Sequence, residues 1–256
     1  MNNFWLTIIT ITKDDPVGLG RTLASAHRMR AAGAQHLVID GSTVAANAGG
    51  GPVPQGQGCE IRAQPPRGIS VAFNAGLAEA RGEWIWFLNG GDRVDDRLTP
   101  EFLSGLLNST RAEMVIGAIT YEGEAEPRPH PPEELQWPPF RSWIPHPSTL
   151  VRRRLFEQFG GFDECYTIAM DYEWWLRALG PTVSVDVVSV PLAIFASGGI
   201  SQRPEMRNII RREKRHALWR HQSKLWRPWC LANYLLARAW FLSLLSHRLG
   251  EKRRLP

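Results

Sequence analysis

Five consecutive large apolar residues, Trp84-Ile85-Trp86-Phe87-Leu88, constrain this chain more than any other feature. The run is far too short to cross a membrane, which takes roughly 18–20 apolar residues. It is too continuous for a strand with one wet face, where apolar and polar positions alternate. A strand covered on both sides satisfies it, and such strands lie inside parallel sheets flanked by helices. The neighbouring sequence supplies those layers. Trp5–Thr12 reads as a strand, Leu19–Arg30 as a helix and His36–Asp40 as a second strand, a βαβ opening. Ile61 lies in a short strand, Ser70–Ala80 suits a helix, and Thr99 ahead of Pro100 and Glu101 marks a helix start. Met114–Tyr121 gives another strand, Arg152–Phe159 and Asp171–Leu179 two helices, and Thr182–Val190 a further strand.

This alternation predicts an α/β fold with a mainly parallel sheet covered on both faces, whose ligands sit at the carboxyl ends of the strands. Two stretches interrupt it. Ala45–Gly58, rich in Gly, Pro and Ala, reads as a surface loop, and Glu122–Pro145, with seven prolines, as a long functional loop or lid. A chain of 256 residues holds one such core and an appendage. Charge places the boundary. Residues 1–200 carry 16 Lys and Arg against 22 Asp and Glu, whereas residues 201–256 carry 14 against 3. An acidic body, residues 1–200, thus precedes a basic tail, residues 201–256. Cys59, Cys165 and Cys230 are too few and too scattered for a disulfide framework or a zinc site. With no basic leader or cleavage site ahead of Trp5, the expected location is cytoplasmic.

Three carboxylates stand where chemistry is expected. Asp92 follows the buried run in Asn89-Gly90-Gly91-Asp92, where glycines allow a phosphate close to the backbone. Oxygen ligands there suit magnesium or manganese, and the same residues also make a tight turn. Asp40 closes Val38-Ile39-Asp40-Gly41-Ser42, placed to accept a hydrogen bond from a base or ribose, or to form an Asx turn. Asp171, in Met170-Asp171-Tyr172-Glu173-Trp174-Trp175, opens a helix and serves either as its cap or as a general base. His146, in Pro145-His146-Pro147-Ser148, lines the acceptor side or is structural.

The order and spacing of these pieces resemble the family 2 glycosyltransferases with the GT-A fold, especially those that build bacterial surface polysaccharides. The likeness spans about residues 4–200. It is carried by Ile8–Asp14, Val38–Ser42, Gly68-Ile69-Ser70 with Asn74-Ala75-Gly76, Phe87–Asp92, His146–Arg154 leading into Phe159–Glu164, and Asp171–Arg177. The resemblance implies an inverting transfer of sugar from a nucleotide-diphosphate donor, with a UDP-sugar expected, to a hydroxyl acceptor, with a lipid-linked saccharide expected. It implies Thr10, Asp40, Gly68, Asn74 and Asn89 on the donor side and a Mg2+ or Mn2+ ion at Asp92. Where relatives often carry an acidic residue before the glycine this chain has Arg67, a cation suited to pair with the donor phosphate instead. It further implies Asp171 as the base, with His146, Glu173 and Trp174 on the acceptor side. Family members often carry an aspartate-rich turn where this chain has Asn89-Gly90-Gly91-Asp92, so Asp92 alone remains for the metal.

In the tail, Arg220, Lys224, Arg227 and Arg238 fall within about 60° of one another on a helix, and Trp226, Trp229 and Trp240 are residues that favour lipid headgroups. Arg238 splits the segment into apolar runs of ten and eight residues, which excludes a crossing. An in-plane helix pair is expected, with residues 204–249 meeting the inner face of the plasma membrane. The alternative is that the apolar face packs on the body or a second subunit. No helix-turn-helix or RNP-like signature points to nucleic acid. The rival functions are a non-catalytic membrane scaffold on the same fold and a nucleotidyltransferase, which lacks its glycine-rich basic loop here.

Overall fold

The computed structural model describes residues 4–42, 58–63, 67–129, 144–179 and 183–221. The elements, in chain order, are β1 (Phe4–Thr12), α1 (Pro16–Ser25), α2 (His27–Ala31), β2 (Gln35–Asp40) and β3 (Glu60–Ala63). Then come α3 (Ile69–Glu79), β4 (Gly82–Asn89), β5 (Arg93–Val94), α4 (Pro100–Ser109), β6 (Met114–Tyr121), β7 (Thr149–Arg152) and α5 (Arg153–Phe159). The last are α6 (Met170–Ala178), β8 (Val185–Phe195) and α7 (Arg207–His221). The apolar run lies in β4 and is buried from Trp84 to Leu88, as its composition requires.

The eight strands form one sheet in the order β3-β2-β1-β4-β7-β6-β8-β5. β3, β2, β1 and β4 run parallel. β7 is antiparallel to both neighbours, β4 and β6, and β6 pairs parallel with β8. The fold is thus α/β with a mainly parallel sheet, in which β7 is reversed in the middle and the short β5 at the edge beside β8. Trp86 and Leu88 pack with Leu6, Ile8, Leu103, Leu107, Val115 and Leu192 in the main core. On the other face Phe87 meets Phe73, Phe156 and Phe162.

Local caps follow their residue types. Asp15 accepts the Gly18 amide at 2.8 Å ahead of Pro16, and Thr99 accepts the Phe102 amide at 3.2 Å ahead of Pro100. The helix expected over Leu19–Arg30 is two helices that meet at Ala26. The expected loop Ala45–Gly58 lies almost wholly outside the described residues, as does the centre of Glu122–Pro145. The chain separates into two compact units, Met1–Lys214 and Arg215–Pro256. The first extends past residue 200 because Glu213 bonds to residues 167–169. Of the second, residues 215–221 are described, as the end of α7, so most of the expected in-plane pair falls outside. No described helix is long and apolar enough to cross a membrane.

Candidate active site

The parallel register brings three strand ends level: Thr12 pairs with Asp40, and Ile11 with Asn89. Backbone bonds lace the loops that leave these strands. Gly41 N donates to Thr12 O at 2.9 Å, Gly90 N to Ile11 O at 2.8 Å, and Asp14 N to the Ser42 hydroxyl at 2.7 Å. Asp14 adopts φ 53°, a left-handed conformation uncommon outside glycine and concentrated at functional loops. Asp40 Oδ1 accepts the Ser42 amide at 2.8 Å, the Asx turn its sequence allows. Its carboxylate therefore stands fixed at the end of β2.

The turn after β4 is built around Asp92, which is 2% exposed. Its Oδ2 accepts the backbone and side-chain amides of Asn89, both at 3.1 Å, and its Oδ1 accepts Ala196 N at 3.0 Å. Burial pushes the Asp92 carboxyl up to about 6 against those three donors, with Glu122 adding to the rise. Both oxygens already receive N–H groups, and the described residues contain no group of three or more His, Cys, Asp or Glu able to hold an ion. Asp92 ties the β4 turn to the end of β8, and any Mg2+ or Mn2+ it held would take its other ligands from the diphosphate and water. Asn89 likewise braces that turn, its side-chain amide donating to Asp92.

Beyond β3, Gly68 precedes α3 with φ 114°, a conformation that favours glycine. Arg67 and Gly68 are exposed there, beside the amide-rich end of an eleven-residue helix. Asn74, one turn further, does not face a donor. Its Nδ2 donates to Phe162 O at 2.9 Å and Glu164 at 3.1 Å, while its Oδ1 accepts Phe162 N at 2.8 Å. Ser70 Oγ donates to Tyr166 O at 2.8 Å. Together they brace the segment leading to Asp171 against α3. A Cβ at Gly161 would stand 2.5 Å from Asn74 Oδ1, which explains the glycine there.

Asp171 sits in the first turn of α6, where Oδ1 accepts Tyr172 N at 2.6 Å. Burial raises its carboxyl to about 6, with the Tyr172 amide and the Lys214 ammonium opposing. A carboxylate near neutrality at a helix start is suited to taking a proton.

Four other expected residues are placed inside the body. Thr10 is buried, its hydroxyl 2.9 Å from His36 Nε2, and His36 Nδ1 meets Arg30 at 3.0 Å. His146 lies among Phe73, Phe87 and Phe162, with neither ring nitrogen bonded among the described residues. Burial pushes its imidazole down to about 4, so it is neutral. Glu173, 1% exposed, binds Arg177 through both oxygens at 3.1 and 2.9 Å, and Arg177 also donates to the carbonyls of Phe159 and Gly161. Trp174 stacks on Phe156 at 4.4 Å and donates to Gly160 O at 2.8 Å. These side chains hold the Phe159–Phe162 bend instead of lining an acceptor site.

Two residues at the site escaped the sequence reading. The hydroxyl of Thr12 is buried without a hydrogen-bond partner among the described residues, beside Gly90. Lys214 on α7 stands 5.4 Å from the ring centroid of Tyr172, beside Asp171, where its place in a basic run hid it.

The sequence model of Glycosyl transferase family 2 matches residues 7–171. Two uncharacterized glycosyltransferases, from two strains of Mycobacterium tuberculosis, are each 30% identical over 188 residues, covering 68% of this chain and 68% of theirs. Among solved structures, S. aureus TarS 1-349 superposes with a TM-score of 0.55 at 15% identity, over 75% of this chain and 60% of that one. The same protein in complex with UDP-GlcNAc gives 0.56 at 14% identity, over 76% and 59%. The chain thus spans about three fifths of that TarS fragment. With the family model matched over most of its length and relatives 30% identical to it over 188 residues, this chain belongs to glycosyltransferase family 2.

Proposed function

We propose that this protein transfers a sugar from a nucleotide-diphosphate donor to a hydroxyl acceptor, with inversion at the anomeric carbon. Asp171 carries this reading: a carboxylate raised to about 6 is ionised at neutral pH yet still a competent proton acceptor. The acceptor oxygen attacks the anomeric carbon from the face opposite the leaving diphosphate while Asp171 takes its proton. The bond to the diphosphate breaks as the new glycosidic bond forms. Such a base contributes roughly 10²–10⁴-fold.

The donor nucleotide is assigned to the edge made by Thr12, Asp40 and the Gly41-Ser42 turn. Its diphosphate is assigned to exposed Arg67 and the start of α3, where guanidinium and helix amides favour an anion. A UDP-sugar is the donor we favour, supported by TarS having been crystallised with UDP-GlcNAc and with UDP. The acceptor we favour is a lipid-linked saccharide, supported by the 14 cationic residues gathered in residues 201–256 and by the tryptophans among them. On this reading the protein works at the inner membrane surface, in polysaccharide assembly.

Thermal-shift screening of nucleoside diphosphates and their sugars tests the donor, since a ligand of the native state raises apparent stability. A stabilising UDP-sugar is expected, and Asp171→Asn should still bind it while losing transfer. Full transfer by that variant refutes the base. Flotation of the full chain with anionic and neutral vesicles tests the surface assignment. Equal failure to float with both would reject it.

A further inference from the structure

The functional reading leaves one buried charged residue of the tail unexplained. Glu213 lies on α7, the helix that opens the basic region, and is only 7% exposed. It makes no ion pair among the described residues and instead accepts three successive backbone amides. Oε1 takes Thr167 N at 2.8 Å, while Oε2 takes Ile168 N at 3.0 Å and Ala169 N at 2.9 Å. Burial alone would push this carboxyl up, but the three amides hold it below the usual glutamate range, so it stays charged. Those amides belong to the turn immediately before Met170 and Asp171. They point outward from the start of α6, where a negative charge is favoured.

The next residue, Lys214, reaches the other side of the same turn. Its ammonium stands 5.4 Å from the centroid of the ring of Tyr172, the residue after Asp171, near enough to attract the Asp171 carboxylate without a direct ion pair. Glu173, two residues on from Asp171, is held by Arg177. One end of the turn is thus gripped by a carboxylate, and the carboxylate that leaves it is faced by an ammonium, from adjacent residues of one helix.

We propose that Glu213 and Lys214 act as a pair of positioning residues for the reaction. Glu213 fixes the turn from which Asp171 emerges, and Lys214 supplies the counter-charge to the Asp171 carboxylate. The proposal rests on the assignment of Asp171 as base but makes its own claim, that the first helix of the basic region is part of the transfer machinery. Removing the tail from residue 204 onward would therefore disable the site as well as any surface contact.

The test uses the full chain and needs no substrate. Carbon-13 NMR of labelled aspartate carboxyls, with the Asp171 signal assigned by its loss in Asp171→Asn, gives the midpoint of Asp171 directly. Lys214→Met should move that midpoint upward by half a pH unit or more, and Lys214→Arg should leave it within about 0.3 unit. Glu213→Gln should accelerate amide exchange at residues 167–169 about tenfold or more, because an amide side chain cannot accept three N–H groups as a carboxylate does. A merely structural Lys214 would leave the midpoint unmoved. An Asp171 midpoint in Lys214→Met that overlays the unaltered protein refutes the counter-charge, even if Glu213→Gln fails to fold. Unchanged exchange in a folded Glu213→Gln refutes the grip. Failure of the base assignment looks different: transfer would persist in Asp171→Asn whatever the NMR titration shows.

Discussion

Replacing Asp171 by Asn should stabilise the protein while silencing it. The folded state raises this carboxyl from 3.8 to about 6. With a folded value above the unfolded one, the group favours folding fully below pH 3.8, and that contribution is lost as pH rises through about 6. A displacement of roughly two units at about 1.36 kcal/mol each makes ionised Asp171 cost the fold up to ~3 kcal/mol at pH 8. Asparagine removes the charge and keeps an oxygen for the Tyr172 amide. It also strips Lys214 of its counter-charge, so the net gain should be ~1–3 kcal/mol, or roughly 3–9 °C in Tm for a chain of this size. Scanning calorimetry of both proteins at pH 4, 6 and 8 checks this. The gap should be small at pH 4, open through pH 6 and be complete at pH 8, with transfer down about 10²–10⁴-fold. Equal or lower stability of the variant at pH 8 would refute the burial argument, and undiminished transfer would refute the chemistry.

Other consequences follow from the same geometry. The rate of transfer should fall about tenfold per pH unit below roughly pH 6, as Asp171 takes up its proton, and a flat profile down to pH 5 would exclude it as base. His146→Phe should keep transfer and equal or exceed the parent Tm, since a neutral imidazole among three phenyl rings loses nothing polar; a tenfold loss of rate would return it to the acceptor side. Glu173→Gln should cost about 3–5 kcal/mol, seen as a large drop in urea midpoint, because Arg177 loses its buried partner. Asp92→Asn should lower Tm with or without manganese, since a side-chain amide cannot accept from Asn89 and Ala196 together as a carboxylate does. Stabilisation of the parent protein by manganese alone, lost in that variant, would show a resident ion there.

Much of the fold was legible because its strongest elements announce themselves locally. The Trp84–Leu88 run could be little else than a doubly covered strand, and Thr99 with Pro100 marks a helix start whatever lies around it. β7 was missed because four residues, Thr149–Arg152, leave no period to read. The strand expected to stop at Val190 runs on through Pro191 to Phe195, since β8 is irregular there. The register shifts around Ala118, Pro191's partner, so the missing N–H falls where the ladder is already broken.

The site was legible at strand ends and illegible in its supports. Asp40 and Asp171 stand out in the sequence because carboxyl ends and helix starts are positions with a chemical role, and the structure places them at the end of β2 and in the first turn of α6. Asn74, Glu173 and Trp174 are polar or aromatic residues in the same motifs, and nothing local states whether such a side chain points at a ligand or at the chain's own carbonyls. That depends on the Phe159–Phe162 bend, which is nearly ninety residues from Asn74. Lys214 was hidden for a related reason: one charge among many in a basic run carries no mark of its single inward contact.

The reversed strand β7 gives the molecule a seam. Only three residue pairs join it to β4 and three to β6, so the strand ladder from the parallel quartet to β6 and β8 is narrow there, while Asp92 on Ala196 and Asn74 on Phe162 carry side-chain ties past it. A chimaera that keeps β1 to β4 and imports the remainder from another family member must match those ties and the Phe87 packing as well as Leu150, Val151 and the carbonyl of Pro147, which accepts the Trp86 indole. The edge at Thr12 and Asp40 and the helix that carries Asp171 are thereby mechanically coupled, so recombination between relatives must carry these contacts across together.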